Sequence, residues 1–247
     1  MNKTIKKSII VVFIIIMIPV LLFCMMQLVI KYELSKLIPS ETVIVDESVY
    51  VIKNAGIVNL FLIKTENGFV AIDAGDSIID LQNELSKFMI DPLLVKRVYL
   101  THTDRDHTGG LSLFKNAEVF ISENEVQMIN GTINRAPFMK TKFPYNYSVI
   151  DNFDEISFDG IRIKPIETPG HTPGSLCYLV NDQYLFTGDS MSIKNGKADI
   201  FNVFFNMNSA DQIESIRKLA GLKGVKMIFT GHYGISDDFD VIFGDYK

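Results

Sequence analysis

The chain opens on an unbroken apolar run and continues as a patterned remainder. From Ser8 to Ile30 it reads SIIVVFIIIMIPVLLFCMMQLVI, 23 positions with no charge and one strongly polar side chain, Gln27. About 20 apolar residues are enough for a helix to cross hydrocarbon, so the pattern predicts a transmembrane anchor through residues 8–30. A cleaved signal peptide would have a shorter apolar core and a small-residue cleavage site, and no Ala-x-Ala pattern closes this run. A lipoprotein would carry a small residue before its cysteine, whereas Phe23 precedes Cys24. Pro19 is tolerable in a membrane helix if its freed carbonyl is satisfied locally. Cys24 then faces lipid. Lys3, Lys6 and Lys7 lead the run and favour a cytoplasmic N-terminus, a single pass, and a remainder outside the cytoplasm.

After a linker from Leu34 to Glu41, closed by Pro39, the apolar runs shorten to strand length. They fall at Thr42–Val45, Val49–Ile52, Ile57–Ile63 and Phe69–Ile72, the last two separated by the turn signal Asn67-Gly68. Ile78, Ile79, Leu81, Leu85, Phe88 and Met89 repeat at helical spacing before Pro92. Strands follow at Arg97–Leu100 and Glu118–Ile121, then a short helix from Ser122 to about Ile129, with Ser122 and Glu125 spaced as a capping box. Residues 131–147, with Pro137 and Pro144, read as irregular. Ile161–Ile166, Ser175–Val180 and Gln183–Phe186 are strands, and 191–208 is a long loop. Ser209 caps a helix over Ala210–Ala220, and Lys226–Thr230 is a last strand. Two batches of strands, each followed by helices, fit two mixed sheets packed together with helices outside. The expected organisation is an anchor over 1–35 and one folded domain over 36–247.

Charge sharpens this picture. The chain has 24 basic and 29 acidic side chains. Setting aside the four lysines and one glutamate of residues 1–35 leaves 20 and 28, a net of −8 for the remainder. Nucleic acid is therefore not an expected partner. Two cysteines make neither a disulfide framework nor a CxxC pair.

The chemistry sits at strand ends. Thr101–Gly110, THTDRDHTGG, places His102, Asp104, Asp106 and His107 within six residues, directly after a strand. His171 lies in Pro169–Gly174, PGHTPG; Asp189 follows Thr187-Gly188; His232 follows Thr230-Gly231. These are all four histidines of the chain, each in a strand-end loop with glycine close by. Crowded buried carboxylates must be paired or bound to metal, and histidine with aspartate and no thiolate suits zinc, iron or manganese. Cys177 reads as a small core residue. Arg105 either attracts an anionic substrate or pairs with a nearby aspartate. Phe201, Phe204 and Phe205 line a pocket or the core, and Tyr233 packs or touches substrate.

The order His-x-x-x-Asp-His, PGHTPG, Gly-Asp, Gly-His, preceded by Asn59 and Asp73-Ala74-Gly75, resembles the metallo-beta-lactamase superfamily from about Val49 to Tyr233. The resemblance implies an α+β fold, a four-layer αβ/βα sandwich of two mixed sheets, with a two-metal site at the sheet edge. It implies one metal on His102, His171 and position 104, a second on Asp106, His107 and His232, and Asp189 bridging them. The implied activity is metal-dependent hydrolysis of a small-molecule ester, thioester, lactone or similar bond by a hydroxide shared between the metals, with Asp106 also orienting the nucleophile. The family covers many reactions. The expected cofactor is two divalent ions, zinc first. The sequence departs from the family at Asp104, where a histidine is usual. A carboxylate there favours manganese or iron and is shared with flavodiiron-type oxidoreductases (a glutamate) and a DNA-uptake competence protein (an aspartate). The alternatives are a phosphodiesterase or nuclease, a metal-binding module without turnover, and a site that has lost one metal.

Overall fold

A computed structural model describes residues 3–135 and 140–246. Pro137 lies outside the described residues. The chain divides into two compact units, one ending at Leu37 and one beginning at Ile38.

The first unit is a single helix, α1 (Lys3–Leu34), with Pro19 inside it. Its side chains from Phe13 to Val29 are all exposed, and Phe13–Leu34 is long and apolar enough to cross a membrane. A helix that presents apolar side chains all round has no polar face to offer water.

The second unit begins with a seven-stranded sheet. Strands β1 (Val43–Val45), β2 (Val49–Asn54), β3 (Val58–Lys64) and β4 (Phe69–Ile72) form an antiparallel meander. Strands β5 (Val95–Tyr99), β6 (Glu118–Ser122) and β7 (Ser148–Ile150) then continue the sheet in parallel. Parallel neighbours need crossovers, supplied here by α2 (Ile78–Lys87), α3 (Arg105–Thr108) and α4 (Val126–Ile129). The second sheet runs β8 (Ile156–Phe158), β9 (Ile161–Glu167), β10 (Leu176–Val180) and β11 (Tyr184–Gly188), all antiparallel. A small hairpin, β12 (Ser192–Lys194) and β13 (Lys197–Asp199), and helix α5 (Ser209–Ala220) then lead to β14 (Met227–Thr230), parallel to β11. β15 (Ile235–Ser236) closes the edge and α6 (Phe239–Ile242) follows.

Three apolar layers hold this together. Phe61, Tyr99, Tyr178, Phe186 and Phe229 lie in the layer between the sheets, where Phe61 meets Phe186 at 5.1 Å and Tyr99 meets Tyr178 at 5.6 Å. Leu81 and Leu85 of α2 cover the outer face of the first sheet, and Ile216 and Leu219 of α5 cover that of the second. Each such side chain, fully buried, contributes about 1.5–3 kcal/mol. The result is helix, sheet, sheet, helix: the four-layer α+β sandwich expected from the resemblance.

Several local expectations change. Ile78, Ile79 and Met89 are exposed, so the buried stripe of α2 is narrower than its spacing suggested. Strands β7 and β8 were not foreseen. Residues 191–208 contain the β12–β13 hairpin, whose turn residues Asn195 and Gly196 have φ of 52° and 73°, the pairing a type I′ turn requires. Asn208, not Ser209, caps α5, its Oδ1 accepting from the backbone of Ala210 and Asp211.

Candidate metal centre

The seven predicted side chains come from four strand ends and meet at one edge of the sandwich. The loop after β5 carries His102, Asp104, Asp106 and His107. β9 leads to His171, β11 to Asp189 and β14 to His232. Because β11 and β14 are parallel neighbours, Asp189 and His232 leave the same side of the same sheet. Glycines permit the close approach. A Cβ at Gly231 would stand 2.7 Å from Asp189 Oδ1 and 3.0 Å from His107 Cε1. At Gly109 and Gly110 it would collide with the backbone of Asp76 and Ala74.

The ligand atoms sort into two cradles around Asp189. In the first, His102, Asp104 and His171 offer atoms within 4.8 Å of one another. His171 Nε2 lies 3.1 Å from Asp104 Oδ2, and His102 Nε2 lies 3.5 Å from it. In the second, Asp106, His107 and His232 do the same. His232 Nε2 is 3.3 Å from Asp106 Oδ2 and 3.2 Å from His107 Nε2. Asp189 faces both cradles. Its Oδ2 is 3.3 Å from His171 Nε2, while its Oδ1 is 3.3 Å from both His107 Nε2 and His232 Nε2. Two of these atoms, His102 Nε2 and Asp189 Oδ1, are buried without a hydrogen bond. Orphaned buried polar atoms are costly. Nitrogen and carboxylate donors converging on a shared carboxylate, with unpartnered lone pairs between them, fit divalent cations.

The two cradles differ in charge. Burial raises the carboxyl of Asp189, but the charges of His232, His107 and His171 outweigh this and hold it well below the usual carboxylate range. Burial works against a proton on His232, yet Asp189 and Asp106 push it up to about 10, and the same carboxylates with Asp73 raise His107 well above the usual imidazole range. His171 goes the other way: burial first, then the Arg135 charge, lower it to about 4. Burial alone would raise Asp104, but its hydrogen bonds to His102 and His171 and the charge of Arg135 hold it well below the usual carboxylate range.

A scan of the chain against family models matches residues 54–232 to the metallo-beta-lactamase superfamily. The chain belongs to that superfamily. A probable metallo-hydrolase of Methanocaldococcus jannaschii is 31% identical over 152 residues, 61% of this chain and 63% of that protein. A hydroxyacylglutathione hydrolase of Aeromonas hydrophila is 25% identical over 178 residues, 70% of this chain and 60% of that protein. The chain thus spans less than two thirds of the length of these relatives. Among solved structures, a metallo-beta-lactamase family protein of Thermus thermophilus superposes with a TM-score of 0.62 at 21% identity, covering 78% of this chain and 76% of that one. That likeness supports the fold.

The early metallo-beta-lactamase signatures turn out to buttress the site. Asp73, buried and at φ 62°, accepts from the Thr101 backbone N–H at 2.7 Å and lies 2.8 Å from His107 Nδ1, leaving Nε2 to face the cradle. The Asn59 backbone N–H donates to the Gly231 carbonyl at 2.7 Å, and its side chain clasps the Ser40 backbone through two hydrogen bonds.

Four further residues escaped the sequence reading. Glu125 is buried, and makes no capping box. Its Oε1 accepts from Thr103 N at 2.8 Å and Thr103 Oγ1 at 2.7 Å, and its Oε2 accepts from Thr172 Oγ1 at 2.7 Å. It ties the His102 loop to the His171 loop. Buried Gln212 of α5 donates to the Asp189 carbonyl at 2.8 Å and accepts from Asn206 at 2.6 Å. Asn206 Oδ1 in turn lies 3.3 Å from His171 Nδ1. Arg135 reaches the first cradle from the irregular segment, its Nε 2.8 Å from Asp104 Oδ1 and its Nη1 2.5 Å from the Phe205 carbonyl. Its Nη2 contacts Asp104 Oδ2 and lies 2.8 Å from His171 Nε2.

The remaining candidates settle individually. Arg105 pairs with Asp76 at 3.0 Å. Cys177 is buried in β10, its thiol pushed up to about 11 by burial. Phe201 is core, packing against His171 at 4.9 Å, His232 at 5.3 Å and Tyr233 at 5.7 Å. Phe204 is exposed.

Proposed function

We propose that this chain is a membrane-anchored, metal-dependent hydrolase of small acidic esters or thioesters. The observation that carries this is the convergence of His102, Asp104, Asp106, His107, His171, Asp189 and His232 around two orphaned ligand atoms. His102, Asp104 and His171 would hold one divalent ion; Asp106, His107 and His232 the other; Asp189 would present one oxygen to each. Zinc suits the four imidazoles, while three carboxylates keep manganese and iron in play. Bound ions would polarise the scissile group and supply a nucleophile at neutral pH.

The side chains supply the rest. Asp106 stands at the partly open side of the second cradle, ionised at neutral pH. Burial raises it, but the charge of His107 and the hydrogen bond and charge of His232 bring it below the usual range. It would orient attacking water and accept its proton. Phe201 shields His171 and His232 from solvent on one side. A cavity of about 340 Å³ beside Asp104 is lined by Lys140 and Lys142 together with Arg105 and Arg135, which are paired with Asp76 and Asp104. That lining favours an anionic substrate although the chain as a whole is acidic. Acyl substrates are favoured by the relative named as a hydroxyacylglutathione hydrolase. Helix α1 would hold the enzyme at a membrane, with Lys3, Lys6 and Lys7 on the cytoplasmic side.

The test is metal analysis of the full-length protein, joined to a panel of ester, thioester, lactone and phosphodiester substrates in neutral and anionic versions. Metal-dependent turnover, faster on anionic members and abolished by Asp106→Asn, is expected. Failure to bind any divalent ion would overturn the proposal.

A further inference from the structure

The two cradles have the same inventory, two histidines and one aspartate, but one of them already holds a cation. Arg135 Nη2 touches Asp104 Oδ2 and His171 Nε2, two of the three ligand atoms of the first cradle. The guanidinium is anchored on its other edges, Nε at Asp104 Oδ1 and Nη1 at the Phe205 carbonyl. A fork-shaped, bidentate arginine–carboxylate pair is the strong form of this interaction. A guanidinium only donates, so His171 Nε2 presents its lone pair to Nη2 at 2.8 Å, while Nδ1 faces Asn206 Oδ1 at 3.3 Å. A metal ion would need that same lone pair and the same Asp104 oxygen, at about 2.0–2.2 Å. The guanidinium nitrogen lies where such an ion would sit, so the two cannot be accommodated together. Among the described residues, no comparable basic side chain is placed in the second cradle.

We infer that Arg135 competes with the metal for the first cradle, so that the two positions fill unequally: Asp106, His107 and His232 first and tightly, His102, Asp104 and His171 later and weakly. Filling the first position requires the guanidinium to withdraw, and the adjoining cavity of about 340 Å³, which Arg135 itself lines, gives it room. Asp104 is then a ligand matched to an internal cation rather than only a replacement for histidine. This inference rests on the cation reading of the site proposed above.

The experiment is equilibrium dialysis of the detergent-solubilised full-length protein against zinc and, separately, manganese, with elemental analysis of the bound ion. Wild type, Arg135→Ala and Arg135→Gln are compared, the last keeping most of the side chain's packing. His232→Ala isolates the first position, and circular dichroism checks that each variant is folded. The expected result is one tight ion in wild type with the second at least about tenfold weaker, and a first position tightened about tenfold or more in both Arg135 variants. Two equally tight ions in wild type, or a first position unchanged or weakened in both Arg135 variants, would overturn the inference while leaving the hydrolase proposal standing. No bound ion in any variant would instead overturn the proposal on which it rests.

Discussion

The two cradles flanking Asp189 are a matched pair in composition and opposites in electrostatics. Each offers two imidazoles and one carboxylate. In the second, the balancing charge is a proton: His107 and His232 are both raised, with their Nε2 atoms 3.2 Å apart. In the first, the balancing charge is Arg135, and His171 stays neutral. Ligand identity therefore does not determine how a site behaves without metal. The nearest fixed charge does, because in a buried pocket a carboxylate must be compensated by whatever cation is at hand.

The largest way to break the comparison is to remove what the cradles share. Asp189→Ala should empty both positions and lower turnover by more than about 100-fold, beyond the 10–100-fold typical of outer-sphere residues. Elemental analysis alongside the substrate panel reads both, and retention of two ions would show that Asp189 is not shared.

Next, Asp73→Asn attacks the second cradle most directly, by loosening His107 Nδ1. The expected loss is about 10–100-fold in metal affinity at that position, with a smaller loss at the first, which Asp73 reaches only through Thr101 and His102 Nδ1. Competitive titration with a chromogenic chelator separates the two.

Stability comes third. Glu125→Ala strands the Thr103 N–H and hydroxyl in a buried setting and leaves the Thr172 hydroxyl with Ser175 Oγ at 2.8 Å. It should cost about 3 kcal/mol, or a thermal midpoint lower by about 6–12 °C for a chain of this size, as measured by circular dichroism.

The smallest effect is a proton count. At pH 7 an ion entering the second cradle must displace protons held by His107 and His232, whereas His171, lowered to about 4, is already neutral. Second-position affinity should therefore rise with pH throughout the range below about 10 and level off above it. In the metal-free protein the sign reverses. The stabilisation from protonated His232 is complete below about 6.5 and is lost as pH rises through about 10. Calorimetry in buffers of different ionisation enthalpy reports the release, about one proton or more for the first ion bound.

The converging histidines and aspartates were legible in the sequence because strand-end loops carry such residues in short, ordered pieces: His102 to His107 are neighbours, and glycine marks each other contributor. The main strands were legible because apolar runs such as Val58–Ile63 are buried on both faces. What the sequence hid depends on distance or on rival local readings. Glu125 sits three residues from Ser122, the spacing of a helix cap, and only the fold shows it reaching Thr103 and Thr172 instead. Arg135 is 31 residues from Asp104, in a segment with no periodicity to orient it. Asn195-Gly196 was a legible hairpin signal inside a stretch read as loop. Strands β7 and β8, three residues each, are too short for any periodicity to register.

The sheet assignments of the ligands carry one more consequence. His102, Asp104, Asp106 and His107 hang from the first sheet; His171, Asp189 and His232 hang from the second. An ion in either cradle would stitch the halves of the sandwich together across their seam. Loading and folding would then be a single thermodynamic event, and starving a cell of the ion would shorten the protein's lifetime as well as silence it.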